Sequence, residues 1–408
     1  MKKRVLLLSL AAMMATFTVT SCSSDDDFGV EAAQSGVLTL SFSGNNIMNY
    51  KSLEIEIQEI NTGAIVKQTI ENTNSYSFNL AYGSYKIIVN GTVITTDNEE
   101  IAVGAQAQTD ITTAATNLNI PLFVKEFYDD FIFEEVFFTG IKTADGKVYN
   151  SGRYFKLTNN TDKILYADKL IIGQSEFLTT DDKNPTPYNV NQSFAVKGVM
   201  VLPGNGTDYP VQPGDFIVIA DNAINHKQNT SNAYDLHNAD FEFPSTNPSL
   251  GQVDNPDVPN VDVIYTQMTY NMFFLHNRGF ESYVIARFPA GETSTTFLTN
   301  HKYNYQYTNS AGNITSKSAY EIPNSWIIDA VNNSVAAKFV HTLTSAGLDA
   351  GWTACGTIDS DDTRFGKSVR RKVLGQMENG KNIYMDTNNS TNDFVKDSQP
   401  SFINGIVH

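Results

Sequence analysis

Oxygen-bearing side chains alternate in "DTNNSTNDFVKD" at 386–397, the stretch whose spacing comes nearest to a chemistry. Asp386, Asn388 and Ser390 fall at its first, third and fifth positions and Asp397 at its twelfth, the ligand rhythm of a twelve-residue calcium loop. Thr391 takes the sixth position, where such a loop turns on glycine, and no helical pattern flanks the string. Two expectations stand open. The four residues hold calcium weakly, or the string is an Asn/Ser-rich turn whose side chains bond their own backbone.

Other reactive groups are sparse. The sequence contains no G-x-S-x-G, H-E-x-x-H or C-x-x-C. Glu134 and Glu135 are adjacent, so on a strand they point to opposite faces and cannot flank one glycosidic bond. Cys355 has no histidine nearer in sequence than His341, and a thiol nucleophile needs a base within hydrogen-bond reach. "GWTACGTI" therefore reads as a packed strand or turn. His226 and His237 bracket a polar loop and, with Asp221 or Asp235, form a second metal candidate, against the bland reading of unliganded surface histidines. In "HKYNYQY", Tyr303, Tyr305 and Tyr307 alternate with Lys302, Asn304 and Gln306, so a strand here sets three rings on one face. Such a row either stacks sugars or aromatic ligands, or covers the core.

Strands must position these groups. From about Val37, "LTLSF", "SLEIEIQEI" and "AIVKQTI" alternate apolar and polar residues. In "SYSFNLAYGSYKIIVNGTVIT" two alternating runs are joined through "AYGS". This hairpin resembles the transthyretin-like or carboxypeptidase-regulatory sandwich, which places a first β-sandwich at 36–123. The second unit, 124–408, carries "RYFKLTNNTDKILYADKLII", "VQPGDFIVIAD" and "IIDAV" followed by "SVRRK". These resemble strand segments of the lamin-tail domain, an immunoglobulin-like sandwich, with Lys169 standing where that family usually has glycine. The whole order resembles an uncharacterised family of Bacteroidota lipoproteins, which brings no activity with it. In "VQPGDFIVIAD", Pro213 and Gly214 suit a type II turn, and the strand beyond is apolar on both faces, as a strand buried on both sides would be. The expected class is mainly β. Proline-rich linkers and the loss of strand pattern at about 225–320 read as a long insertion around which the second sandwich folds, and as its working surface.

The amino terminus concerns address. Residues 1–21 combine Lys2, Lys3 and Arg4 with a short apolar run, the pattern of an export signal. "VTSC" resembles a bacterial lipobox, which implies a diacylglycerol on Cys22. The tether 22–35 is polar and self-repelling. Its run Ser23, Ser24, Asp25, Asp26 and Asp27 resembles the signal for display on the outer face of the outer membrane; the alternative is a plain spacer. Losing Lys2, Lys3 and Arg4 takes the formal charge from −16 to −19, which repels phosphate backbones and makes nucleic acid an improbable partner. Missing enzyme motifs favour a non-catalytic surface lipoprotein, held to the membrane by lipid and binding a glycan, a nutrient complex or an outer-membrane protein such as a transporter. The competing reading is a calcium-assisted hydrolase of extracellular polysaccharide. Cys22→Ala should move the protein from the membrane fraction to the soluble one, because no other long apolar run follows; continued pelleting after a salt wash would exclude anchoring through Cys22.

Overall fold

The computed structural model describes residues 34–44, 47–96, 100–124, 130–250 and 252–408. Cys22 and the run Ser23 to Asp27 lie outside them. The first unit is a sandwich of two sheets. Strands β1 (Ser35–Ser43), β4 (Ser75–Ala81) and β7 (Ala115–Pro121) form one, in the order β4-β1-β7. Strands β2 (Ile47–Glu59), β3 (Ile65–Glu71), β5 (Gly83–Thr95) and β6 (Glu100–Ile111) form the other, in the order β3-β2-β5-β6, with Phe123–Val124 added to β6. Alternation sets the facing: Leu53, Ile55 and Ile57 are buried while Glu54 is exposed. The resulting core runs from Leu38 to Leu122.

The rest of the chain builds two larger sheets. One holds β8 (Phe131–Phe137), β9 (Tyr154–Asn159), β12 (Phe216–Ala220), β18 (Ser368–Arg371) and β19 (Phe394–Ser398), in the order β12-β9-β8-β18-β19, with Phe241–Glu242 beside β12. The other holds β10 (Leu170–Ser175), β11 (Ser193–Val201), β13 (Asp262–Thr266), β14 (Ser282–Arg287), β15 (Lys302–Thr308), β16 (Ile314–Pro323) and β17 (Ile327–Ser334). Its order is β15-β16-β11-β10-β14-β17, with β13 paired to β11 and Thr353–Ala354 beside β17. Phe133, Phe155, Leu157, Ile172, Ile217, Ile219, Tyr283 and Val331 fill the space between the sheets. Val218 and Ala220, the alternate residues of β12, pack on the opposite side with Phe137 and Tyr154. The doubly apolar strand is indeed buried on both faces. The class is mainly β, as expected.

The insertion reading is corrected. Segment 225–320 does not sit outside the sandwich but supplies part of it. Strand β14 lies between β10 and β17, hydrogen-bonded to both, and Ser282 to Ala286 are all buried. The hairpin β15–β16 extends the same sheet. Proline-rich connections disguise these strands, because the loops between them are long while "SYVIAR" itself is an unbroken strand.

One buried charge cluster ties the two sheets together. Arg371, at the end of β18, donates from Nε to the Phe133 carbonyl at 2.8 Å. Its Nη2 donates to both Asp329 carboxylate oxygens, at 2.9 and 2.7 Å, and its Nη1 to the Met385 carbonyl at 3.1 Å. Asp386 stands 3.0 Å from Nη1 and Asp393 3.7 Å, and the guanidinium lies over the Phe394 ring. Burial pulls against the Arg371 charge, yet Asp329, Asp386 and Asp393 together raise its pKa. Burial likewise pushes the Asp329 carboxyl up, with Arg371 opposing. Breaking such a cluster from one side leaves uncompensated buried charge, at roughly 3–5 kcal/mol. Arg371→Met should therefore lower the unfolding free energy read from a urea titration by that amount, and Arg371→Lys, which loses the planar fork, by a smaller one.

Candidate binding cleft

The residues singled out by spacing do not converge. Asp386 faces Arg371, Ser390 donates its hydroxyl to Asp349 at 2.5 Å, and Asp397 accepts from the Gly356 amide at 2.8 Å. Asn388 adopts a left-handed φ of 51° inside the turn, and its amide donates to Asp386 Oδ1 at 3.2 Å. The calcium reading is thus corrected: a guanidinium already occupies the place of the cation, and the other oxygens are turned to separate partners. Asn389 and Asp393 cap and close the turn, accepting from the amides of Thr391 and Thr387. Among the described residues no three His, Cys, Asp or Glu side chains come close enough to hold a metal.

His226 is buried, between the Tyr149 hydroxyl and the Asn222 carbonyl, while His237 pairs with Asp235 at 2.6 Å. The paired-histidine site is excluded by these partners. Cys355 is fully buried, and burial pushes its thiol well above the ordinary value. Glu134 takes Lys156 and Thr158, and Glu135 takes Ser401, so neither acid is free for chemistry.

The tyrosine row exists but faces inward. Tyr303 and Tyr305 are buried at 4 and 5 % exposure, and the three rings stack at 5.1 and 6.2 Å. Phe177 lies edge-on to Tyr305, Tyr303 donates to the Pro187 carbonyl, and Tyr305 to Glu176 at 2.5 Å. The row is core, which corrects its reading as a ligand platform. Alternation predicted that the rings share a face; the loop after β10, which covers them, could not be placed from spacing. The opposite face carries Asn304, Gln306, Ser316 and Ser318, which bond one another across β15 and β16.

A cleft of about 480 Å³ opens elsewhere, where β10, β11, β13 and β14 end together. Leu170 pairs with Arg287, and Val201 with both Ile171 and Asp262, so the turns leaving these strands share one rim. Asp168 builds the rim. Its buried carboxylate accepts from the amides of Gly206, Asp208 and Tyr209 at 2.8–2.9 Å. Burial works against that charge, yet the three amides hold its pKa below the usual carboxylate range. Arg287 donates to both Asp130 oxygens, at 2.6 and 2.9 Å, and to the carbonyls of Tyr166 and Asp168. Both groups are committed to the scaffold.

Other lining groups remain open to a ligand. Lys169 and Asp262 are exposed, and neither side chain makes a hydrogen bond or ion pair to a described residue. Ser294 adds a hydroxyl and Glu292 a carboxylate, which accepts from Thr296 at 2.5 Å. Phe288 supplies a ring backed by Phe297 and Trp326 at 6.1 and 5.9 Å. The set combines an uncommitted donor, uncommitted acceptors and an apolar surface. Of these residues sequence reasoning singled out Lys169 alone, as a departure from glycine. The glycine-bearing turn "LPGNG" was the remaining available signal.

Residues 212–401 match a family model described as "Protein of unknown function (DUF4876)". The fold is similar to the crystal structure of a DUF4876 family protein from Bacteroides thetaiotaomicron, at 25% identity and a TM-score of 0.58, over 90% of this chain and 96% of that one. A DUF3823 family protein from Parabacteroides merdae aligns at 9% identity and a TM-score of 0.17, over 46% of this chain and 82% of that one. A fimbrial assembly protein from Parabacteroides distasonis aligns at 8% identity and a TM-score of 0.17, over 70% and 99%. No curated protein matches the sequence.

The diverted oxygens at 386–397 carry an expectation. Melting temperature should be the same in calcium and in chelator. Asp386→Ala should lower it by an equal amount in both, through loss of a partner of Arg371. Stabilisation by calcium that Asp386→Ala abolishes would restore the metal reading.

Proposed function

We propose that this protein is a non-catalytic surface lipoprotein that binds an extracellular glycan in the cleft between Lys169 and Ser294. The observation that carries the reading is the coexistence, in one concave site, of an ammonium and a carboxylate that no described residue pairs with, a hydroxyl and a ring face. A sugar hydroxyl both donates and accepts, so neighbouring hydroxyls can bridge Asp262 and Lys169 while the ring's apolar face meets Phe288. The acids, histidines and cysteine singled out by spacing are held by structural partners or buried, which favours recognition over hydrolysis. Among the described residues no helix is long and apolar enough to cross a membrane. Anchoring through Cys22 and display at the outer face of the outer membrane rest on the lipobox and the acidic run. An outer-membrane transporter receiving the bound glycan is the partner this arrangement would serve.

A hydrogen bond to a charged group contributes about 1.5–3 kcal/mol, and a neutral one about 0.5–1.5. Asp262→Asn combined with Ser294→Ala should weaken oligosaccharide retention on a glycan array at least about tenfold. The melting temperature should shift little, since neither side chain holds another element. Unchanged retention would move the site away from this cleft, and turnover of the retained sugar would overturn the non-catalytic reading.

A further inference from the structure

Lys169 breaks a local rule without any internal return. It is the third residue of the turn Ala167–Leu170, closed by the Leu170 amide on the Ala167 carbonyl at 3.2 Å. Its φ is +58°, whereas Asp168 is not in the left-handed region. That is the arrangement of a type II turn, whose third residue is ordinarily glycine because a Cβ is strained there. The Lys169 amide does contribute, donating to the Leu202 carbonyl at 3.2 Å, but any residue except proline would do the same. The side chain makes no hydrogen bond or ion pair to a described residue. A strained residue whose own side chain does nothing for the fold, set at the rim of a 480 Å³ cleft, points to a role in the cleft.

We infer that Lys169 is a specificity residue that pairs with the carboxylate of an acidic sugar, a uronate or sialate, while Asp262 and Ser294 take its hydroxyls. The inference rests on the glycan reading above and narrows its ligand class. Arg287 cannot do this work, since its guanidinium is held by Asp130 and two backbone carbonyls. The three amides that could otherwise receive an anion already hold Asp168. Among the described residues lining the cleft, Lys169 is thus the cation that no hydrogen bond or ion pair holds. The acidity of the chain as a whole does not forbid the pairing, because charges beyond about 8 Å are screened at physiological ionic strength. Asp262 and Glu292 line the same cleft, and they make a ligand with hydroxyls beside its acid a better fit than a bare anion.

The test compares uronate and sialate oligosaccharides with their methyl esters, which keep the sugar and remove the charge. The wild-type chain should retain at least one acid about tenfold better than its ester, and added salt should weaken the acid alone. Lys169→Gln should erase the difference between acid and ester. Lys169→Gly should erase it too while raising the melting temperature by about 2–4 °C, because glycine relaxes the turn. Stability and binding would then move in opposite directions at one residue, which a merely structural lysine would not produce. Equal retention of acids and esters would overturn the charge recognition and leave the glycan reading standing. Retention of no sugar, acidic or neutral, would overturn both. Acid binding that survives Lys169→Gly unchanged would remove Lys169 from the site.

Discussion

The fold depends on the satisfaction of one buried guanidinium. Arg371 touches the first strand of its own sheet through Phe133, the facing sheet through Asp329, and the C-terminal turn through Met385 and Asp386. Each contact constrains a different part of the chain. The strand β8 must be in register for its carbonyl to be free at Phe133, and β17 must reach across for Asp329 to form the fork. The turn at 386–393 must close in one geometry to bring two further carboxylates. Removing a charge from such a cluster is severe because of what remains unpaired, rather than because the pairing is strong in itself. The same arrangement explains why an acidic, oxygen-rich turn sits near the C-terminus. It encloses a cation that the chain carries itself.

A second consequence concerns where recognition can happen. The large sheet containing β14 is covered on one face by the facing sheet, and on the other by Phe177, Phe297 and Leu343, among others. Its interior strands are therefore closed to ligands. Surface remains at the ends of the strands, where the chain reverses and backbone geometry is free to vary. The cleft lies there, on turns fixed by Asp168 and Arg287, so its open side chains stand on a rim that should not need to rearrange on binding.

The strand pattern was the legible part of this sequence. Alternation in "SLEIEIQEI" and double-sided apolarity in "DFIVIAD" both reported burial correctly, because they are local consequences of a two-residue period. The turn at Pro213–Gly214 was legible for the same reason: Gly214 has a φ of +78°. Facing was not legible where a distant loop decides it. Tyr303, Tyr305 and Tyr307 share a face as expected, but the segment from Phe177 to Tyr188 covers them, and nothing local announces that cover. The acids at 386–397 misled for a related reason. Their spacing matched a metal loop, while Asp386 and Asp393 face Arg371 on another strand and Asp397 is held by the Gly356 amide. In the cleft, Lys169 was visible as an exception to a turn rule, but Asp262, Phe288 and Glu292 belong to segments that meet it through the ends of separate strands.

The aromatic backing of the cleft gives the molecule an optical property. The chain has two tryptophans. Trp352 lies flat on Phe339 at 4.9 Å, with Lys396 over it, whereas Trp326 stands directly behind Phe288 and 4.6 Å from His301. A change in the polarity or rigidity of the cleft wall is therefore one ring away from an indole. The intrinsic fluorescence of the unlabelled protein should accordingly divide into one component that follows the cleft, from Trp326, and another that does not, from Trp352.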